Sequence, residues 1–299
     1  MLSIPLTPSA AKLFGDNCSA LARRAIDGAA MRFELHCHST CSDGEDPPAR
    51  VAELARERAI DVFALTDHDT CAGSDVVAGA GARTLRGVEL SCDDPATGRT
   101  IHVLAFDRGG TGWADLEARL GALGDARRNR LRVMAARLTQ RGIRIDVEPL
   151  IAQATGRSVG RPDLAKLMVA AGAVSSVKEA FTRHLFDGGP VDVPHHALAL
   201  PDALALGRAV GAAMALAHPH VYDDYAAVLL RTHKPDGLDA VEACYASYDP
   251  RERTRWLDVA RDLDLVCTAG SDRHTPGDPP LGVDLTGELA DRLGDWLGR

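Results

Sequence analysis

The sequence lacks the features that define several common protein classes. No window approaches the ~20 consecutive apolar residues that span a bilayer, so we expect no transmembrane helix and no membrane partner. The 7 cysteines include no C-x-x-C pair, which argues against a disulfide framework and against a structural zinc knuckle. Internal repeats and low-complexity tracts are also absent. We therefore expect a soluble, cytoplasmic protein with reduced thiols.

Aromatic residues make up only 4% of the 299 residues, and acidic side chains outnumber basic ones by 42 to 34. The resulting net charge of −8 argues against a protein whose whole surface binds nucleic acid. A hydrophobic content of 45% suffices for a full core and excludes global disorder. Against this composition the 11 histidines are numerous, and their distribution is informative.

Short runs rich in Val, Ile and Leu alternate with helical patterns through most of the chain. This alternation is typical of βα units around a parallel sheet or barrel, so we predict an α/β fold. The predicted strands cover residues 32–35, 62–65, 85–88, 101–106, 212–217, 238–241 and 265–269. The predicted helices between and after them cover residues 47–58, 201–210, 223–231, 250–262 and 288–297.

One segment breaks this alternation, because residues 113–194 contain helical patterns and Gly/Pro punctuation without a convincing strand. We interpret it as a helical insertion that caps the substrate. The barrel would then be formed by residues 31–112 and 195–299. Residues 1–30 carry no strand signal and are predicted to form an N-terminal extension.

Six histidines lie at predicted strand ends or within a strand, usually near a carboxylate. In parallel βα architectures the carboxyl ends of the strands meet at one face, so residues scattered in sequence converge in space. An H-x-H pair on a strand also directs two imidazoles to the same side. The candidate metal ligands are His36, His38, Asp43, His68, Glu89, His102, His218, Asp272 and His274.

Nine such groups exceed the roughly three protein ligands of a catalytic zinc ion, so they favour two or three divalent ions bridged by a carboxylate. Nitrogen and oxygen ligands favour manganese, iron or zinc over magnesium or copper(I), and we expect manganese first. Such a cluster deprotonates a bridging water near neutral pH and neutralises charge on a phosphoryl group.

The segments HCHSTCSDG, TDHDT, GVELSC, GRTIHVLAF, LAHP and AGSDRH together resemble the PHP (polymerase and histidinol phosphatase) family of metal-dependent phosphoesterases. The spacing is most similar to the branch of nucleoside 3',5'-bisphosphate phosphatases and 5'-3' exoribonucleases on short RNA. The resemblance runs from about residue 32 to 276. It implies a distorted (β/α)7 barrel with a trinuclear metal centre and a helical insertion. Asp43 favours the nucleotide branch, because the histidinol-phosphatase branch usually has a histidine there.

The resemblance also implies how the metals are shared. His36, His38, Glu89 and Asp272 would hold the first ion, and Glu89 would bridge to a second held by His102 and His218. Asp43, His68 and His274 would hold the third. Asp67 and Asp69 flank His68, and with His274 they are our catalytic candidates, as orienting groups or proton shuttles. For Asp69, capping the following helix is an equal alternative.

A local basic stretch lies between Trp113 and Ile145, with eight arginines, no lysine and three acids. A solvated helix face is the ordinary meaning of such a stretch. Helical phase, however, places Arg127 on the face of Leu131 and Met134, with Arg130 nearby. Arg128 and Arg132 point elsewhere and are predicted to be solvated. Inward arginines need a partner, and a phosphate suits the guanidinium fork.

In the resembling branch, an R-x-x-R on this helix and a Gly-Arg in the insertion bind the non-scissile phosphate, which here implicates Arg127, Arg130 and Arg161. Two positions depart from the family pattern. Asp163 stands where a histidine is common, and Asp192 stands where an aromatic residue is common. An acid close to a phosphate would repel it, so these positions bear on the choice of substrate.

We therefore predict a hydrolase that removes a phosphate from a small phosphorylated substrate, a nucleotide such as a nucleoside 3',5'-bisphosphate or short RNA. A histidinol-phosphate-type phosphatase and a non-catalytic metal-binding module are the alternatives. Long duplex nucleic acid is disfavoured by the net charge of −8. Five remaining histidines are interpreted as ordinary surface or core residues, namely His184, His195, His196, His220 and His233.

Overall fold

The computed structural model describes residues 30–154, 157–186, 188–193 and 197–298, so nearly all of the predicted 1–30 extension lies outside the described residues. Seven strands form a nearly closed, barrel-shaped sheet in the order β8-β7-β6-β4-β3-β2-β1. Two more strands, β5 and β9, pair with β3 and β1. The strands are β1 (Met31–Glu34), β2 (Val62–Leu65), β3 (Arg83–Asp93), β4 (Thr100–Phe106), β5 (Leu198–Ala199), β6 (Ala213–Leu216), β7 (Leu238–Tyr245), β8 (Val266–Gly270) and β9 (Val283–Leu285).

The chain segments that follow β1 and β8 meet and bring the two ends of the sheet together. Leu35 N donates to Ala269 O at 3.0 Å, and Asp272 N donates to His36 O at 2.7 Å. Cys37 and Arg273 form an isolated parallel bridge beyond these contacts. The HCHSTCSDG and AGSDRH segments therefore lie side by side although about 230 residues separate them in sequence.

The sheet is mixed, whereas the alternation of strands and helices predicts a parallel one. β4 runs antiparallel to both β3 and β6. Gly98 N donates to Asp94 O at 2.8 Å in the short connection between β3 and β4, and so short a link joins antiparallel strands only. The reversal has a consequence for His102. Since it lies near the start of β4, opposite Ser91, it faces the same rim as the carboxyl ends of the parallel strands.

Five of the nine helices that the structure describes begin with a proline in the first turn. Proline is compatible with that position because the backbone N–H that it lacks would have no partner within the helix there. The helices are α1 (Pro48–Glu57), α2 (Trp113–Gln140), α3 (Glu148–Gln153), α4 (Arg161–Ala170), α5 (Val177–Arg183), α6 (Leu200–Val210), α7 (Tyr225–His233), α8 (Pro250–Asp262) and α9 (Gly287–Gly298). The five helices predicted outside the insertion all form, with ends shifted by at most two residues. Within the described ranges, no helix combines the length and apolar composition that crossing a membrane requires.

Between β4 and β5 the described residues form four helices, α2 to α5, and no strand. Helix α2 joins two hydrophobic cores. Its first half contributes Trp113, Leu116 and Leu120 to the barrel core. Its second half contributes Leu131 and Met134 to a separate core shared with α4 and α5. This long helix therefore ties the helical segment to the barrel.

Candidate metal centre

The structure brings all nine predicted ligands together at one rim of the barrel. They form four overlapping groups, and within each group one donor atom per residue lies within 4.8 Å of the others. The groups are His38/Asp43/His68/His274, His36/His218/Asp272, His36/His38/Glu89 and His68/Glu89/His102. This partition overlaps with the one that the resemblance implies but is not identical to it, since His218 groups with His36 and Asp272.

Glu89 occupies the middle of the cluster. Its Oε2 lies 3.3 Å from His36 Nε2, 3.1 Å from His38 Nε2 and 3.1 Å from His68 Nδ1. Its Oε1 lies 3.0 Å from both His102 Nδ1 and His218 Nε2. The carboxylate is fully buried, and its two oxygens face different sets of imidazoles, which is the arrangement a bridging ligand needs.

Two further carboxylates flank this central one. Asp272 Oδ1 lies 3.3 Å from His36 Nε2 and 3.2 Å from His38 Nε2. Asp43 Oδ1 lies 3.3 Å from His274 Nε2, and its Oδ2 lies 3.8 Å from His68 Nε2. Backbone strain accompanies this convergence, because His218 and Asp272 adopt φ of +28° and +51°. Non-glycine residues with positive φ often mark functional sites.

Several nitrogen and oxygen atoms of these nine residues have no hydrogen bond within the described part of the chain. A buried polar atom without a partner is costly, and such atoms are rare in folded proteins. Here six of them belong to the nine predicted ligands. They are His36 Nε2, His38 Nε2, Asp43 Oδ1, His68 Nδ1, Glu89 Oε2 and His218 Nδ1. Imidazole nitrogens and carboxylate oxygens are the donor types that manganese, iron and zinc accept, so the residues present fit divalent cations.

The electrostatics of the cluster depend on the close contacts between opposite charges. Burial by itself lowers the pKa of His38, but the nearby carboxylates of Asp272 and Glu89 outweigh it and raise the pKa to about 10. For His68 burial dominates and lowers the pKa to about 3, with Glu89 only partly offsetting it. Burial raises the pKa of Asp43, yet His274 and His68 bring it below its usual range. Neighbouring imidazoles thus differ strongly in proton affinity.

Glu242, in β7, contacts two of the predicted ligands and is absent from the sequence motifs. Its carboxylate lies 3.0 and 3.1 Å from His36 Nδ1 and accepts a hydrogen bond from His218 N at 2.8 Å. It is fully buried and thereby orients two predicted ligands from behind. The available signal was a single glutamate inside the otherwise apolar run AVEACY, because buried strands rarely carry an unpaired charge.

The two aspartates that flank His68 have different environments. Asp67 accepts hydrogen bonds from Ser39 N and Ser39 Oγ, both at 2.7 Å, and from Ser42 Oγ at 2.6 Å. It therefore holds the loop that leads to Asp43. Asp69 accepts from Ser91 N at 2.8 Å and from the guanidinium of Arg127.

The three predicted phosphate-binding arginines already have partners within the protein. Arg127 contacts Asp69, and Arg161 donates to Leu185 O at 3.2 Å. Arg130 donates to Val193 O at 2.7 Å and to Asp192 Oδ1 at 3.2 Å. Burial lowers the pKa of Arg130, as does the charge of nearby Arg161. The partner that inward arginines require is thus supplied by the chain itself.

The two departures from the family pattern also receive a structural explanation. Asp192 pairs with Arg130. Asp163 accepts from Gly160 N at 2.8 Å and from Arg157 Nη2 at 2.5 Å. Arg157 in turn donates to Thr40 O and Ser42 O, at 2.7 and 2.9 Å. Both acids are therefore balanced by arginines, and Arg157 ties the helical segment to the loop that carries Asp43.

The other described histidines lie outside the four groups. His220 Nδ1 lies 2.9 Å from the hydroxyl of Tyr248, and His233 Nδ1 lies 3.2 Å from Asp236. His184 is partly buried. His195 and His196 lie outside the described residues.

The sequence matches no family model, but it is similar to proteins of known assignment. A 5'-3' exoribonuclease of Haemophilus influenzae is 32% identical over 255 residues, covering 82% of this chain and 90% of the relative. A 3',5'-nucleoside bisphosphate phosphatase of Chromobacterium violaceum is 30% identical, covering 86% and 92%. Among solved structures, a protein of Bifidobacterium adolescentis assigned as a metal-dependent phosphoesterase superposes with a TM-score of 0.72 at 29% identity, covering 88% and 94%.

Proposed function

Because this chain belongs to the PHP family of metal-dependent phosphoesterases, a family of hydrolases, we propose that its substrate is a small phosphorylated nucleotide. The two proposed substrates are a nucleoside 3',5'-bisphosphate and the 5' end of short RNA. The observation that carries the proposal is the convergence of nine nitrogen and oxygen donors around the buried carboxylate of Glu89. The names of the two curated relatives support a nucleotide substrate.

The proposed cofactor is a set of two or three divalent ions, manganese first, with iron or zinc as alternatives. Its proposed ligands are His36, His38, Asp43, His68, Glu89, His102, His218, Asp272 and His274. When bound, such ions lower the pKa of a coordinated water and neutralise charge that develops on a transferring phosphoryl group.

The protein residues contribute orientation and charge. Asp67 fixes the Ser39–Ser42 loop through three hydrogen bonds and so positions Asp43. Asp69, held by Arg127 and by Ser91 N, is the group we propose to accept a proton from the attacking water and to pass it to the leaving oxygen, together with His274 at the exposed side of the cluster. Asp67 and Asp69 flank His68 in sequence, and His274 lies against Asp43, so none of the three contacts the central carboxylate of Glu89 within the described part of the chain.

The second phosphate of the substrate is proposed to bind Arg127, Arg130 and Arg161. A phosphate at Arg130 would replace Asp192, whose carboxylate lies 3.2 Å from the guanidinium. Residues 113–194 would then act as a cap over the rim. We also propose a cytoplasmic location, which the free thiols of the six described cysteines favour.

A phosphate-release assay tests this proposal directly. Protein loaded with Mn²⁺ is incubated with a nucleoside 3',5'-bisphosphate, a nucleoside monophosphate, a 5'-phosphorylated oligonucleotide and histidinol phosphate. We expect the highest kcat/KM with the first or third substrate. Preferential release from histidinol phosphate would overturn the substrate assignment. Absence of release from all four, in protein that binds metal, would indicate a non-catalytic module.

A further inference from the structure

The proposed ligands are held in place by two different parts of the chain. Glu242 and Tyr245, both in β7, contact all three members of one group, namely His36, His218 and Asp272. Another group contains Asp43, which lies in the loop of residues 39–44 that we call the ligand loop. No strand ladder fixes the backbone of this loop, so its position depends on the hydrogen bonds that it makes with its surroundings.

The helical segment between β4 and β5 pairs with three consecutive carbonyl oxygens of the ligand loop. Arg157 donates from Nε to Thr40 O at 2.7 Å and from Nη2 to Ser42 O at 2.9 Å. Ser158 N donates to Cys41 O, between them in sequence, at 2.9 Å. All three acceptors directly precede the proposed ligand. The backbone that leads to this ligand is thus bonded to the helical segment.

The opposite side of the ligand loop is fixed by the barrel. Asp67 accepts hydrogen bonds from Ser39 N and Ser39 Oγ at 2.7 Å and from Ser42 Oγ at 2.6 Å. Gly44 packs so closely that an added Cβ atom would lie 2.7 Å from His38 C and 2.8 Å from Ser39 N. Packing of this density leaves the loop no room to move inwards. An outward movement is opposed by the helical segment.

Arg157 is itself held by an aspartate of the helical segment. Its Nη2 lies 2.5 Å from Asp163 Oδ1, and Asp163 Oδ2 accepts a hydrogen bond from Gly160 N at 2.8 Å. The side chain of Asp163 is 6% exposed, so water and salt screen this ion pair less than they screen a surface pair. Asp163 is one of the two positions that depart from the family pattern. Here its carboxylate fixes the arginine that reaches the ligand loop.

Helix α2 of the same segment contacts this ligand group at a second point. Arg127 contacts the carboxylate of Asp69, which directly follows His68 in the sequence. Asp69 also accepts a hydrogen bond from Ser91 N at 2.8 Å. Two of the four members of the group, His68 and Asp43, therefore adjoin residues that are paired with arginines of the helical segment.

We propose that the helical segment sets the affinity of one ion, with Arg157 as the positioning residue, and that this ion is the one held by His38, Asp43, His68 and His274. The inference rests on the proposed function, which assigns these four residues as ligands. Binding free energies are reciprocal, so docking of the segment strengthens this ion and the ion strengthens docking. Arg161 shares the first turn of α4 with Asp163, so a phosphate bound by Arg161 acts on the same turn.

The test titrates metal-depleted protein with Mn²⁺ and follows the free ion by electron paramagnetic resonance, which gives an affinity for each class of bound ion. D43A removes a proposed ligand and identifies the class that belongs to this group. In R157Q we expect the same class to weaken about tenfold or more, because residues behind metal ligands contribute 10–100-fold to affinity. The other classes should keep their affinity. Equal weakening of all classes, or of none, would overturn the proposal.

R157K separates the charge of Arg157 from its geometry and protects the test against a folding defect in R157Q. Lysine keeps a positive charge opposite Asp163 but lacks the planar fork that reaches Thr40 O and Ser42 O together. We expect a smaller loss of affinity in the same class of ion. If R157Q does not fold, a wild-type titration curve for R157K would overturn the proposal.

R132Q is the matched control. Arg132 also joins two parts of the helical segment, through hydrogen bonds to Glu148 at 2.7 and 2.9 Å, and is 44% exposed. Arg128, predicted to be solvated like Arg132, is 24% exposed and is the less suitable control. R132Q should bind every class of ion as the wild-type protein does.

Hydrogen–deuterium exchange in EDTA provides a readout without metal or turnover. The amides of Ser42 and Gly44 both donate to Ser39 O at 3.0 Å. They should exchange faster in R157Q than in the wild-type protein or in R132Q, because the ligand loop has lost its outer support. Unchanged exchange of these two amides in R157Q would contradict the positioning role.

The outcomes also separate this inference from the proposed function. If R157Q weakens the class identified by D43A but the wild-type protein releases no phosphate from any substrate, the proposed function fails and the inference stands. If the wild-type protein releases phosphate and both Arg157 variants bind Mn²⁺ normally, the inference fails alone.

Discussion

The carboxylate of Glu242 lies 3.0 and 3.1 Å from Nδ1 of His36 and directs the opposite nitrogen of that ring towards Glu89. The same carboxylate accepts the backbone N–H of His218, so one buried side chain orients residues from two different strand ends. Gly270 makes this possible, because a Cβ there would lie 2.9 Å from Glu242 Oε1. The candidate metal centre is thus supported from behind by Glu242 and Gly270, neither of which is a proposed ligand.

The variant E242Q tests this dependence. Glutamine keeps the shape and one acceptor but removes the charge that makes His36 a stronger ligand, so we expect metal affinity to fall roughly 10–100-fold. Affinity is measured by titrating metal-depleted protein with Mn²⁺ and following heat or paramagnetic relaxation. The melting temperature in EDTA should fall only slightly, because glutamine keeps the shape and one acceptor for the N–H groups of His36 and His218. A lower melting temperature with unchanged affinity would indicate a purely structural role.

Removal of metal should affect activity and stability together. A chelator should abolish phosphate release, and Mn²⁺ should restore it. It should also lower the melting temperature, because a ligand that binds only the folded state stabilises it by mass action. Metal content by mass spectrometry should be two to three ions per chain before treatment. Undiminished phosphate release from protein shown to be metal-free would contradict the central proposal.

Much of this site could be predicted because its residues follow strand ends. His36 and Asp272, which follow β1 and β8, converge for a reason that strand periodicity and barrel geometry supply, whereas Glu89 lies within β3, which is longer than the predicted strand 85–88. His102 converged for a different reason, since β4 is antiparallel and presents its beginning at the rim. The pattern of apolar runs does not encode strand direction. His102 was therefore predicted to lie with the other candidate ligands even though the sheet was predicted to be parallel and β4 is antiparallel.

The residues that form ion pairs and hydrogen bonds with the predicted site residues were harder to predict from the sequence. Helical phase correctly indicated that Arg130 is largely buried, at 12% exposure, but Asp192 as its partner lies 62 residues away. No local pattern links them, because the contact exists only once α2 and the end of the insertion pack together. Glu242 was missed for the same reason, since its partners His36 and His218 belong to other strands.

Replacement of Arg130 tests the second-phosphate clamp. In R130Q we expect KM for a nucleoside 3',5'-bisphosphate to rise by about tenfold or more, because a charge-assisted contact to the second phosphate is lost. KM for p-nitrophenyl phosphate, which has a single phosphate, should change little. Steady-state phosphate release with both substrates provides the comparison, and R132Q serves as the control on the same helix. Equal effects on both substrates would remove the argument for a clamp.

Substitution of Gly270 tests whether close packing behind the proposed ligands holds the candidate metal centre in place. In G270A the new Cβ would lie 2.5 Å from His36 Cβ and 2.8 Å from His36 N, so the backbone of a predicted ligand must shift. Overpacking of this kind costs about 1–3 kcal/mol of folding free energy, and the displaced His36 should also weaken metal binding.

The matched control is G294A in α9, where an added Cβ meets nothing within 4 Å. Alanine is favoured over glycine within a helix, so this variant should gain about 0.5–1 kcal/mol without any change in metal affinity. Urea unfolding of both variants, with and without Mn²⁺, separates the two effects. If the packing argument holds, G270A loses more stability with Mn²⁺ than without it, because the displaced ligand reduces the stabilisation that the metal provides. Equal losses in both conditions would show that the crowding at residue 270 does not reach the metal centre.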